Sequence, residues 1–119
     1  MEHQAKEIAE LLKVLSNQHR LMILCCLIER PMNVSEINEK VPAISQSALS
    51  QNLALLKAHG ILDSNKYGLQ NVYHIKDDRI KKVIQTLRET YCKPDWNING
   101  INGGWSQKIK INAVGKNDK

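Results

Sequence analysis

The segment from residue 33 to residue 60 constrains the fold of this chain more than any other. Asn33 and Glu36 have the spacing of a capping box and open a short helix over about 34–40. Ile37 and Val41 face inward, and Pro42 stops the helix. Ser45 is the next N-cap. A second helix follows from Gln46 to His59, buried through Leu49, Leu53 and Leu56, and Gly60 supplies its C-terminal stop. A short helix, a turn and a second helix with a polar leading edge make a helix-turn-helix pattern.

The flanking elements complete a small domain. Ile8, Leu11, Leu12 and Leu15 recur at helical spacing over about 4–15. Asn17 caps a helix over 18–29 with an apolar stripe of Leu21, Leu24, Cys25 and Ile28, closed by Pro31. Residues 61–75 read as a β-hairpin, with apolar Val72, Tyr73 and Ile75 on the return side and Gly68 in the turn. Asp77 or Asp78 caps a last helix, with Ile80, Val83, Ile84, Leu87 and Tyr91 on one face and Pro94 after its end. The expected fold is mainly α with a small β-hairpin, in the order α-α-α-α-β-β-α, over residues 1–93. Residues 94–119, rich in Asn, Gly and Lys, are expected to be a disordered basic tail. Trp96 and Trp105 in that tail are either a docking segment or incidental.

The length of 119 residues allows one thin core, which dimerisation would help to stabilise. No apolar run is long enough for a membrane span, and residues 1–4 lack the layout of a signal peptide, so a cytoplasmic protein is expected. The net charge of +5 invites nucleic acid as a partner, but residues 93–119 hold +3 of it. Residues 45–76 carry Lys57, Lys66 and Lys76 against Asp63 alone, and residues 1–44 are net −1. That polarity suits DNA binding without demonstrating it.

The second helix of the pair carries the candidate chemistry. Gln46, Ser47, Ser50, Gln51 and Asn52 offer hydroxyls and amides that donate to and accept from base edges and phosphates. A recognition helix places such groups at its N-terminal end, where it enters the major groove of duplex DNA. The alternative, a solvated polar face on an ordinary helix, loses ground to the capped helix before it and the hairpin after it. The hairpin would be a wing, with Lys66, Gln70 and Asn71 contacting the minor groove or phosphates, or merely solvating the tip. Arg20 would reach a phosphate or make a surface pair. No nucleophile–base pair, phosphate loop or framed carboxylate pair points to an enzyme, and no cofactor is expected.

Taken in order, residues 12–25, 45–51 and 87–92 resemble the ArsR/SmtB family of winged helix-turn-helix repressors, over about residues 5–93. The resemblance implies a homodimer joined through its first and last helices. It also implies binding to an inverted repeat in an operator, with transcription blocked. Within the family the chain is similar to a dithiol, persulfide-sensing branch, whose two cysteines fall here at Cys25 and Cys92. Asn52 stands where many relatives have His, and Cys26 is an extra thiol.

Three cysteines without a secretion signal argue against a disulfide framework, so the thiols should start reduced. Cys25 on an apolar stripe reads by itself as core filler. Cys92 closes a helix, where packing rarely calls for a thiol, and the resembled fold lays helices 2 and 5 together. The resemblance thus implies a switch in which a low-pKa thiolate attacks a persulfide or other oxidant. The second cysteine then closes a bridge, and the dimer loses its match to DNA. Cys26 points about 100° away from Cys25 around the helix. Two rivals remain: a metal-responsive repressor using the thiols, and an activator or interaction protein with no small-molecule input. For metal sensing, residues 34–41 contain no Cys, residues 77–92 no His, and His3, His19, His59 and His74 are scattered, so no metal ligands are assigned.

Overall fold

The computed structural model describes residues 1–92, so the expected tail lies outside the described residues. Helix α1 (Glu2–Leu15) is followed by α2 (Gln18–Glu29), β1 (Met32–Asn33), α3 (Val34–Lys40), α4 (Gln46–Ala58), β2 (Leu62–Tyr67), β3 (Gln70–Ile75) and α5 (Asp78–Tyr91).

Helix α2 is the centre. Residues 22–28 are all buried, so the expected single stripe is in fact a helix covered on every side, with Leu21 only half-buried. An all-apolar run has no solvated face to offer, and the other elements pack around it. Asn17 starts it, its side chain accepting from the Arg20 backbone N–H at 3.1 Å. The same break turns α1 by 94° away from α2. No single described helix is long and apolar enough to cross a membrane.

The capping box read from the sequence is present in full. The Asn33 side chain accepts from the Glu36 N–H at 2.8 Å, and Glu36 accepts from the Asn33 N–H at 2.9 Å. The Asn33 backbone bond, with help from the Arg30 guanidinium, holds the Glu36 carboxyl below its ordinary range. Ser45 caps α4 through Ala48 N–H at 3.2 Å. Gly60 leaves the helix at φ +75°, a left-handed conformation that favours glycine.

The sheet has a strand that the sequence pattern does not reveal. Its order is β1-β3-β2, all antiparallel, with Met32 opposite Tyr73 and Asn33 opposite Val72. The hairpin therefore supplies two strands of a three-stranded sheet, with its return strand β3 in the middle. Two residues are too few to show an alternating period, which explains the difference. The hairpin register pairs Tyr67 with Gln70 across a two-residue turn begun by Gly68 at φ +64°.

The expected apolar face of α5 divides. Ile80 and Ile84 are buried, Leu87 is half-buried, and Val83 and Tyr91 are exposed. On α1, Leu15 is buried while Ile8 and Leu12 are exposed. Apolar side chains at Ala9, Leu12, Leu15 and Leu21 line one cleft with Val83 and Leu87, so the two terminal helices share an apolar surface.

Asn33 caps α3 and its Nδ2 also donates to Gln70 Oε1 at 3.0 Å. Replacing Asn33 with Ala is expected to lower unfolding stability by about 1–2 kcal/mol. Leu24→Ala, at a fully buried site, is expected to cost about 2–5 kcal/mol. Urea denaturation of the two variants checks both values and their order.

Candidate nucleic-acid interface and cysteine pair

The leading end of α4 is open. Gln46, Ser47, Ser50 and Gln51 are exposed, while Leu49, Leu53 and Leu56 are buried beneath them. A shallow cleft lined by Ser35, Asn38, Glu39, Ser45 and Gln46 runs between α3 and this end. The first turn of α4 also presents unpaired backbone N–H groups and the positive end of the helix dipole, which favour a phosphate.

Arg20 and Asn52, both expected at the interface, meet each other. Arg20 Nε donates to Asn52 Oδ1 at 3.1 Å, and Arg20 Nη1 donates to the Val14 carbonyl at 3.0 Å. Asn52 Nδ2 donates to the Ala48 carbonyl at 3.0 Å. Both ends of the Asn52 amide therefore bond within the protein. The pair joins the end of α1, the first turn of α2 and the middle of α4.

The wing adds a basic and partly apolar tip. Lys66 is exposed and stands opposite Asn71, and Gln70 is exposed while accepting from Asn33. Tyr67 and Leu69 project beside Gly68, with Leu69 98% exposed. Sequence reasoning passed over these two because a hairpin tip is expected to be polar. Lys57 on α4 donates to Ser64 Oγ on β2 at 2.8 Å and ties the wing to the helix behind it.

Cys25, Cys26 and Cys92 are all free thiols and all buried. Cys25 on α2 and Cys92 at the end of α5 lie close enough for a charge on either to oppose a charge on the other. Here an expectation is corrected: the Cys25 thiol is not acidic. Burial pushes it far above its ordinary value, nearby Cys92 and Cys26 add to that, and only Arg88 opposes them. Burial likewise pushes Cys26 up to about 12, against the pull of Lys40. In this closed state Cys25 and Cys26 hold their protons. Arg88 forms an ion pair with Glu29 on α2, a contact between distant positions that the sequence does not announce. Among the described residues, no group of three His, Cys, Asp or Glu side chains is arranged to hold a metal ion.

A capped short helix, a polar-fronted second helix and a hairpin bound to both define the winged helix-turn-helix class of DNA-binding regulators. Residues 14–91 match the HxlR-like helix-turn-helix family, and the chain belongs to it. It is 36% identical to the biofilm growth-associated repressor of Agrobacterium fabrum over 82% of this chain and 83% of that one. The structure of reduced HlyU from Vibrio cholerae is similar, with a TM-score of 0.73 and 34% identity over 78% of this chain and 97% of that one. The structure of the transcriptional repressor BigR from Xylella fastidiosa gives a TM-score of 0.72 and 32% identity over 82% of this chain and 95% of that one. The ArsR/SmtB resemblance led to winged-helix regulators of this kind, while the matching family carries the HxlR-like description. The family and these relatives are transcriptional regulators, not enzymes.

Two outcomes follow from this geometry. In a double-mutant cycle of Arg20→Gln and Asn52→Ala, the two substitutions are expected to couple by about 0.5–3 kcal/mol in urea unfolding. Additive effects would show that the bond between them is inconsequential. The buried thiols also link stability to pH. The native state keeps protons that the unfolded chain releases above about pH 8.5. Stability is therefore full below that pH and falls as pH rises toward the raised native values of Cys25 and Cys26. Thermal melts from pH 7 to 10.5 on the native chain and on Cys25→Ala/Cys26→Ala check the sign, and the variant should show the shallower fall.

Proposed function

We propose that this chain is an ArsR-type homodimeric repressor that binds an inverted repeat in duplex DNA. Gln46, Ser47, Ser50 and Gln51 read the major groove, and Lys66, Gln70 and Asn71 hold the wing to the backbone or minor groove. Arg20 and Asn52 act behind them, setting the height and tilt of α4. The exposed apolar residues Ile8 and Leu12 on α1 and Val83 and Tyr91 on α5 support a dimer made through those helices.

Operator release comes from oxidation or persulfidation of Cys25 and Cys92. The observation that carries this reading is their burial beside each other on two packed helices. The relative HlyU, solved in a reduced form, lends support. Reaction begins from an opened state, because burial keeps Cys25 protonated in the closed one. Cys92 follows the last turn of α5, where helices fray. One thiolate attacks the outer sulfur of a persulfide RSSH, forming a protein persulfide and releasing RSH. The second thiolate attacks the inner sulfur of that protein persulfide, closing a disulfide and releasing hydrogen sulfide. Two thiols are oxidised and one sulfane sulfur is reduced. A disulfide between α2 and α5 shifts the dimer helix and moves the two reading helices off half-sites one DNA turn apart.

Gel shifts against DNA from the region upstream of its own gene test this reading. Reduced protein is expected to bind, and persulfide-treated protein to bind at least about tenfold more weakly, a shift of about 1.4 kcal/mol in affinity. Cys25→Ser and Cys92→Ser proteins should bind and ignore persulfide; release of DNA by both would end the thiol-switch reading. Gln51→Ala should weaken binding to the operator more than to unrelated DNA, whereas Lys66→Ala should weaken both and reduce the salt dependence. The relation to the transcriptional activator HlyU favours a second reading, displacement of another DNA-bound protein. In that case binding raises, rather than lowers, transcription from the same DNA.

A further inference from the structure

Cys25 and Glu29 lie four residues apart on α2, and Arg88 and Cys92 lie four apart at the end of α5. Residues at that spacing stand one above the other on a single helix face. Cys25 neighbours Cys92, and Glu29 pairs with Arg88, so the two contacts run antiparallel along one seam, one helical turn apart. The sulfurs are at most 1% exposed, whereas Arg88 and Glu29 are 30% and 40% exposed. A wet ion pair therefore adjoins a dry thiol pair on the same seam. The charged and titratable groups acting on Cys25 are Cys92 and Arg88 from α5 and Cys26 from its own helix. Arg88 is the cation among them, and the Glu29 carboxylate competes for it.

We propose that the Glu29–Arg88 ion pair sets the reactivity of the cysteine pair. While Glu29 holds Arg88, the seam stays closed and the thiols stay inert. When the carboxylate releases the guanidinium, Arg88 becomes the counter-charge of the thiolate that forms one turn away. Glu29 is the restraining residue and Arg88 the positioning residue; neither reacts. This rests on the Cys25/Cys92 switch proposed above. It adds a control on when that switch is available. The pair is partly solvated, so salt or any movement of α5 against α2 loosens it.

The test measures thiol chemistry without DNA. The full-length native protein is alkylated with iodoacetamide from pH 7 to 10.5, and the rate at each cysteine is read by mass spectrometry. Glu29→Gln is expected to raise the rate at Cys25 and Cys92 about tenfold at each pH, equivalent to about one pH unit along the rising limb. Arg88→Gln is expected to slow the reaction at each pH, because the carboxylate is left unopposed. Arg88→Lys keeps the charge and should restore a profile near the native one. Both neutral variants lose the ion pair, so a purely mechanical clasp would make both faster, and that result overturns the proposal. Unchanged profiles in both overturn it as well. The DNA reading fails separately: shifted alkylation profiles with persulfide-insensitive operator binding would discard the switch as regulation while leaving this control of thiol reactivity intact.

Discussion

The described residues are arranged around the dry cylinder of α2. Residues 22–28 have no solvated side, so the remaining helices and the sheet must enclose them. Only the ends of α2 carry charge into its surroundings. At one end Arg20 bonds to Asn52 on the reading helix, and at the other Glu29 pairs with Arg88 on α5. The helix is fastened at one end to the candidate DNA-reading surface and at the other to the seam that holds the thiols. The same burial that stabilises the core keeps Cys25 protonated. Core packing and chemical restraint are one effect seen on two kinds of atom.

Much of the fold is legible from local chemistry. Asn17, Asn33, Ser45 and Asp77 each accept a backbone N–H at a helix start, and each is a short-range signal that needs no knowledge of the rest of the chain. The strand β1 is not legible, because two residues show no period and its partner lies about forty positions later in the chain. Periodicity also finds the apolar stripe of α5 without saying what covers it: Ile80 and Ile84 meet this chain's own core, and Val83 and Tyr91 do not.

The candidate site divides in the same way. Polar side chains at the front of α4 are visible as a run of residue types. The engagement of Arg20 with Asn52, 32 residues apart, is visible only once three helices have assembled. For the thiols, the resemblance points to two positions that the fold buries near each other, but the acidity expected of the attacking thiol does not fit Cys25, which burial pushes the other way. Thiol acidity depends on the medium around the sulfur, and composition says nothing about that medium.

Asn33 has a consequence that reaches beyond helix capping. One residue belongs to the sheet, starts α3 and bonds to Gln70 near the wing tip. Lys57 and Ser64 tie α4 itself to the sheet. The wing and the reading helix therefore behave as the two fixed jaws of a caliper. A duplex offered to such an instrument must bring its grooves to the jaws, since the jaws do not travel to the grooves. Base steps that bend or narrow with little resistance are then favoured even where no side chain touches them. On the DNA-binding reading proposed above, part of the selectivity would reside in the mechanical softness of the DNA between the points of contact.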